Sequence, residues 1–177
     1  MRHRKRPGQA IVELALSMTL IYLLFSATVD FGLAYFAYQG IAGAAQEGAQ
    51  FGARKPLSGN ASNLGEIQQR TRTEGGLAAN RRGFVNLFDL NNNRIDDLSD
   101  GTVNGTGTSY ITLQVVQNPD VEATGMNVPC STSTPALGYC DVIVKVKYDY
   151  IPQFAFAAPF GLNKFTLTAT RRSPITH

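Results

Sequence analysis

The sequence predicts an α+β chain. A long N-terminal transmembrane helix continues into a small extracytoplasmic domain, where an antiparallel sheet of about three or four strands packs on the helix. Three observations carry this expectation. An uncharged run, Leu14–Val29, follows a basic leader. No proline interrupts the chain between Gly8 and Lys55. The C-terminal part holds three segments rich in β-formers that alternate apolar and polar residues.

The leader comes first. Arg2, Arg4, Lys5 and Arg6 account for the net charge of +3, and the rest of the chain is slightly acidic. A folded domain without a basic face is a poor nucleic-acid binder, so no nucleic-acid partner is expected. With 44% apolar and 16% charged residues, the chain is neither a disordered tail nor a coiled coil. His3 and His177 lie at the two chain ends, which leaves imidazole chemistry poorly supplied. There is no nucleophile elbow, phosphate loop, HExxH or CxxC. No enzyme is expected, and no cofactor is required.

At about 1.5 Å per residue, Leu14–Val29 spans roughly 24 Å, short of a bilayer core. The stretch Ala10–Tyr38 suffices when Glu13 and Asp30 sit near the two interfaces. Tyr22, Phe25, Phe31, Tyr35, Phe36 and Tyr38 put rings toward its outer end, as an interfacial belt in contact with membrane lipid would. The positive-inside rule sets the N-terminus in the cytoplasm and the C-terminus outside a cytoplasmic membrane. The chain therefore divides into a leader (1–8), a transmembrane helix (9–38), a helix extension (39–55) and an extracytoplasmic α+β domain (56–177).

Three readings of the N-terminus compete. A cleaved secretory signal has the right basic start, but Glu13 opens its apolar run. No small-x-small site follows promptly, and Ala42-Gly43-Ala44 lies too far downstream. An uncleaved single-pass anchor, carrying a binding module outside, leaves Glu13 unexplained. A prepilin-type leader explains it. Cleavage after Gly8 makes Gln9 the first residue, and its new ammonium lies one helical turn from the Glu13 carboxylate. A carboxylate at that depth is costly unless paired, and near a helix N-terminus it is favoured by the macrodipole.

Arg6-Pro-Gly-Gln-Ala-Ile-Val-Glu-Leu-Ala-Leu, Val29-Asp-Phe-Gly and Ala44-Ala-Gln-Glu-Gly-Ala-Gln-Phe-Gly-Ala resemble the TadE-like proteins. These are minor pilins or pseudopilins of the tight-adherence (Flp-type) pilus. The likeness is close over residues 6–54 and weaker at the C-terminal end. It implies processing after Gly8 by a prepilin peptidase, membrane insertion, and a structural role in pilus assembly. It also implies other minor pilins and inner-membrane assembly proteins as partners, and incorporation into an extracellular pilus as one destination. Main fibre subunits of that system are far shorter and usually carry an aromatic where Leu14 stands, so a minor pilin is the expectation.

Residues 31–54 read as a continuation of the helix, ended by Pro56. Gly40, Ala44, Gly48 and Gly52 recur every four residues and form a smooth face that allows close approach. Its distal part is expected to pack on the chain's own domain, and its membrane half against partner helices.

Beyond a loop of turn formers, Leu64–Arg82 reads as a second helix broken near Gly75-Gly76. Phe84–Phe88 reads as a short strand or a helical turn. Tyr110–Gln117, Asp141–Tyr150 and Phe165–Arg171 read as strands. The aromatic loop Ile151–Leu162 fits a core plug, a membrane-skimming loop or a partner contact. Cys130 and Cys140 are too widely spaced for a redox pair. Outside the cytoplasm a disulfide is favoured over two free thiols. Asp89, Asn91, Asn93, Asp97 and Asp100 occupy positions 1, 3, 5, 9 and 12 of a calcium-loop template. Arg94 stands where that template needs glycine. A solvated loop of turn formers is the expectation, with calcium binding the alternative.

Overall fold

The computed structural model describes residues 7–54, 61–75, 85–90, 109–130, 137–153, 161 and 163–176. The element order is α1 (Pro7–Arg54), α2 (Ala61–Gly75), β1 (Tyr110–Gln117), α3 (Pro119–Glu122), β2 (Cys140–Tyr150) and β3 (Phe165–Pro174).

α1 is a single helix of 48 residues, about 72 Å long. Pro7 stands at its first position, where a missing N–H costs nothing. The hydroxyls of Ser17, Thr19 and Thr28 donate to the carbonyls of Glu13, Ala15 and Leu24 at 2.8, 2.9 and 2.8 Å. Each polar group is thus satisfied within the helix and does not break the apolar run.

α2 folds back along α1. Thr71 lies against Gly48 and Ile67 against Gly52, so the two helices run antiparallel. α2 runs from Ala61 to Gly75, starting three residues before the expected Leu64, and residues 76–82 of the expected helix lie outside the described residues. Residues 85–90 form a turn in which Asn86 Oδ1 accepts from the Phe88 N–H at 3.1 Å. Of the strand and the helical turn expected around Phe84–Phe88, the described part is therefore a turn. It still buries Val85, Leu87 and Leu90.

The sheet has the order β1-β2-β3 and is antiparallel throughout. Three strands stand where three or four were expected, among the described residues. β2 descends along α1: Val142 packs at Gly52, and Gln153, just past the strand, reaches Asp30. β3 climbs again, and the Thr176 N–H donates to the Ala53 carbonyl at 3.4 Å. Val142, Val144 and Val146 alternate onto the helix side and are fully buried. Ile143 falls on the outer face, paired with Gln114 and Arg172, which accounts for its place out of step with the valines. Ile41, Ala44, Ala45, Ala49, Ile67, Leu87, Ile111 and Ile175 complete a core shared by α1, α2 and the sheet.

A polar clamp ties the distal end of the sheet. Buried Asp141 on β2 accepts from the Asn118 side-chain amide at 2.9 Å and from Arg172 Nε on β3. Arg172 Nη2 also donates to the Gln117 carbonyl on β1 at 2.7 Å. One ion pair thus joins all three strands, with its carboxylate shielded from water.

Candidate functional site

The N-terminal half of α1 is bare. Every residue from Gly8 to Phe25 is exposed, and the first buried side chain is Ser26. It is the one helix among the described residues long and apolar enough to cross a membrane. α1 begins at Pro7, so the Gly8–Gln9 peptide lies in the first turn, where backbone N–H groups have no intrahelical acceptor. Nothing lies within 4 Å of the space a side chain at Gly8 would take. One turn on, the Gln9 side-chain amide donates to Glu13 Oε1 at 3.1 Å. Gly8, Gln9 and Glu13 therefore share one exposed turn, with the carboxylate directed back toward residue 9.

From Ser26 onward the helix is two-sided. Asp30 is 5% exposed, and its Oδ1 accepts from the Gln153 backbone N–H at 2.9 Å. The Tyr150 hydroxyl shares this corner. Burial, and then the nearby Asp30 charge, hold its pKa above the ordinary tyrosine value. On the sequence Asp30 reads as an interfacial residue. The structure makes it the point where the sheet domain joins the helix. The available signal was its isolation: it is the sole charged residue between Glu13 and Glu47, and acids in apolar helices are usually paired.

The small-residue face divides along its length. Gly40 is half-buried, while Ala44, Gly48 and Gly52 are buried in the chain's own core. A side chain on Gly48 would overlap the Thr71 hydroxyl. One on Gly52 would meet Ile67 and Val142 at 3.1 and 3.2 Å.

Residues 8–50 match the family model of TadE-like proteins. The match covers the exposed turn with Gly8, Gln9 and Glu13, the junction at Asp30, and the helix face as far as Gly48. Over this segment, about a quarter of its length, the chain is similar to TadE-like proteins, a family tied to the tight-adherence pilus. No curated protein and no solved structure matches the chain.

Outside the TadE-like segment, Cys130 and Cys140 form a disulfide with a Cα–Cα distance of 5.8 Å. It anchors the 126–130 segment to the first residue of β2, next to the Asp141 clamp. Of the calcium-template residues, Asp89 is half-buried within the 85–90 segment, and Asn91, Asn93, Asp97 and Asp100 lie outside the described residues. Most of the aromatic loop, 154–160 and 162, also lies outside them.

Proposed function

We propose that this chain is a minor pilin or pseudopilin that acts structurally, without catalysis, in assembling a tight-adherence pilus. The observation that carries the reading is the pairing of Gln9 with Glu13 on the exposed first turn of a TadE-like helix. A prepilin peptidase would cut the Gly8–Gln9 bond at the cytoplasmic membrane face. The bond is suited to this: Gly8 offers no side chain to obstruct the enzyme, and the first-turn N–H groups have no intrahelical acceptor, so unwinding that turn breaks only the few bonds its carbonyls accept. Cleavage removes the basic leader and creates an ammonium at Gln9. Glu13 then balances a positive charge one turn away, in its own chain or in a neighbour packed beside it. The bare stretch Gly8–Phe25 would supply the surface for neighbouring helices, with the outer domain outside the membrane.

The test is the mature N-terminus, measured by mass spectrometry on protein from native membranes with an active prepilin peptidase. A chain beginning at Gln9 supports the reading. A chain still carrying residues 1–8 replaces it with an uncleaved, single-pass anchored binding module. Glu13→Ala gives an independent check, because normal pilus formation with that substitution contradicts the docking role.

A further inference from the structure

The sheet domain grips α1 on one side of turns whose other side is still apolar. Ser26, Asp30, Ala34, Ala37 and Ile41 face the domain and are buried. Phe31, Tyr35 and Phe36 point outward on the same turns and are 73, 61 and 62% exposed, with Tyr38 beside them. The outward face turns polar only at Gln39, whose amide donates to the Tyr35 hydroxyl at 2.7 Å. Beyond it, Gly43 and Gln46 are exposed in turn.

From Ile11 to Tyr38 the bare apolar face runs about 40 Å, against about 30 Å for a bilayer core and 40–45 Å with both headgroup layers. From Glu13 to Asp30 is about 26 Å, close to the core alone. The aromatic turns therefore fall in the outer headgroup layer, and the domain is already attached there. β2 brings its own apolar residue to that depth. Ile151 is 54% exposed and only two residues before Gln153, hence within about 7 Å of the Asp30 junction along the chain.

We propose that the outer domain does not stand clear of the membrane but is seated in the outer lipid headgroup layer. Phe31, Tyr35, Phe36 and Tyr38 on α1, with Ile151 at the foot of β2, form its lipid-facing rim. Lipid fits this face better than a second helix does. Helix–helix contacts in membranes favour small residues, and here Ala34 and Ala37 are already turned to the sheet while the rings point out. Tyrosine places a ring in the apolar layer and a hydroxyl in the wet one. The outward face of these turns carries no charge, so zwitterionic lipid suffices.

The chain has no tryptophan, so single-tryptophan variants of the full protein report without background. Leu20→Trp, Phe36→Trp, Ile151→Trp and Gln46→Trp would be reconstituted in phosphatidylcholine vesicles brominated at shallow or deep acyl positions. All four sites are exposed, so the fold accepts the ring. Phe36→Trp and Ile151→Trp are expected to lose emission chiefly to shallow bromines, Leu20→Trp to deep ones, and Gln46→Trp to neither. Full emission at Phe36→Trp or Ile151→Trp, with Leu20→Trp quenched, overturns the seating and leaves the span intact. An unquenched Leu20→Trp removes the span itself and the proposal with it.

Discussion

The carboxylate of Asp30 on α1 accepts the backbone N–H of Gln153, 123 residues away, at 2.9 Å. This bond closes the lower end of the domain on the helix, where β2 has finished descending. Removing it takes away a part-buried hydrogen bond to a charged acceptor, which costs about 1.5–3 kcal/mol. Asp30→Ala should therefore destabilise the domain by roughly that amount and speed hydrogen exchange at the Gln153 amide. Asp30→Asn keeps an acceptor oxygen and should lose less. Equal exchange rates in Asp30→Ala and the native chain would contradict the junction.

Gly48 and Gly43 sit five residues apart on α1 and should respond in opposite directions to alanine. At Gly43 nothing lies within 4 Å of the added carbon, so Gly43→Ala should gain up to about 1 kcal/mol from helix propensity. At Gly48 the added carbon overlaps the Thr71 hydroxyl, which is itself engaged with the Ile67 carbonyl at 2.8 Å. Overpacking of this kind costs about 1–3 kcal/mol and outweighs the propensity gain. Thr71→Ala in the Gly48→Ala background should restore part of the loss, a coupling readable from denaturant midpoints.

Reduction of Cys130–Cys140 should lower the stability of the sheet domain by about 2–3 kcal/mol, the chain-entropy value for so short a loop. Cys140 is fully buried, so reduction should be slow in the folded state and accelerate with partial unfolding. A melting temperature unchanged by reductant, with both thiols shown to be free, would contradict this.

Tyr148 and Tyr150 both titrate above the ordinary tyrosine value of 10.0, chiefly because burial penalises the phenolate. The folded state therefore holds these protons more tightly than the unfolded chain. Their contribution is fully present below pH 10 and is lost as pH rises through and above it. Alkaline melts should show stability falling from about pH 10 upward, and Tyr148→Phe or Tyr150→Phe should flatten the fall. An equally steep fall in both variants would assign it to other groups.

Much of this was legible in the residues themselves. The absence of charge and proline from α1, and the strict alternation of Val142, Val144 and Val146, are local patterns. Helix and strand periodicities depend only on near neighbours, so the long helix, the three strands and the Gly8–Gln9–Glu13 turn could be read along the chain. Only the tertiary structure decided what those elements touch. Asp30 became a junction because β2, whose residues lie more than a hundred positions away, runs down α1 to deliver the Gln153 amide. Gly48 and Gly52 were committed to Thr71, Ile67 and Val142 because α2 and β2 both fold back along α1. The Asp141–Arg172 clamp needs three strands in register before its ion pair exists. Each of these contacts joins residues distant in sequence, and distance in sequence is what periodicity cannot see.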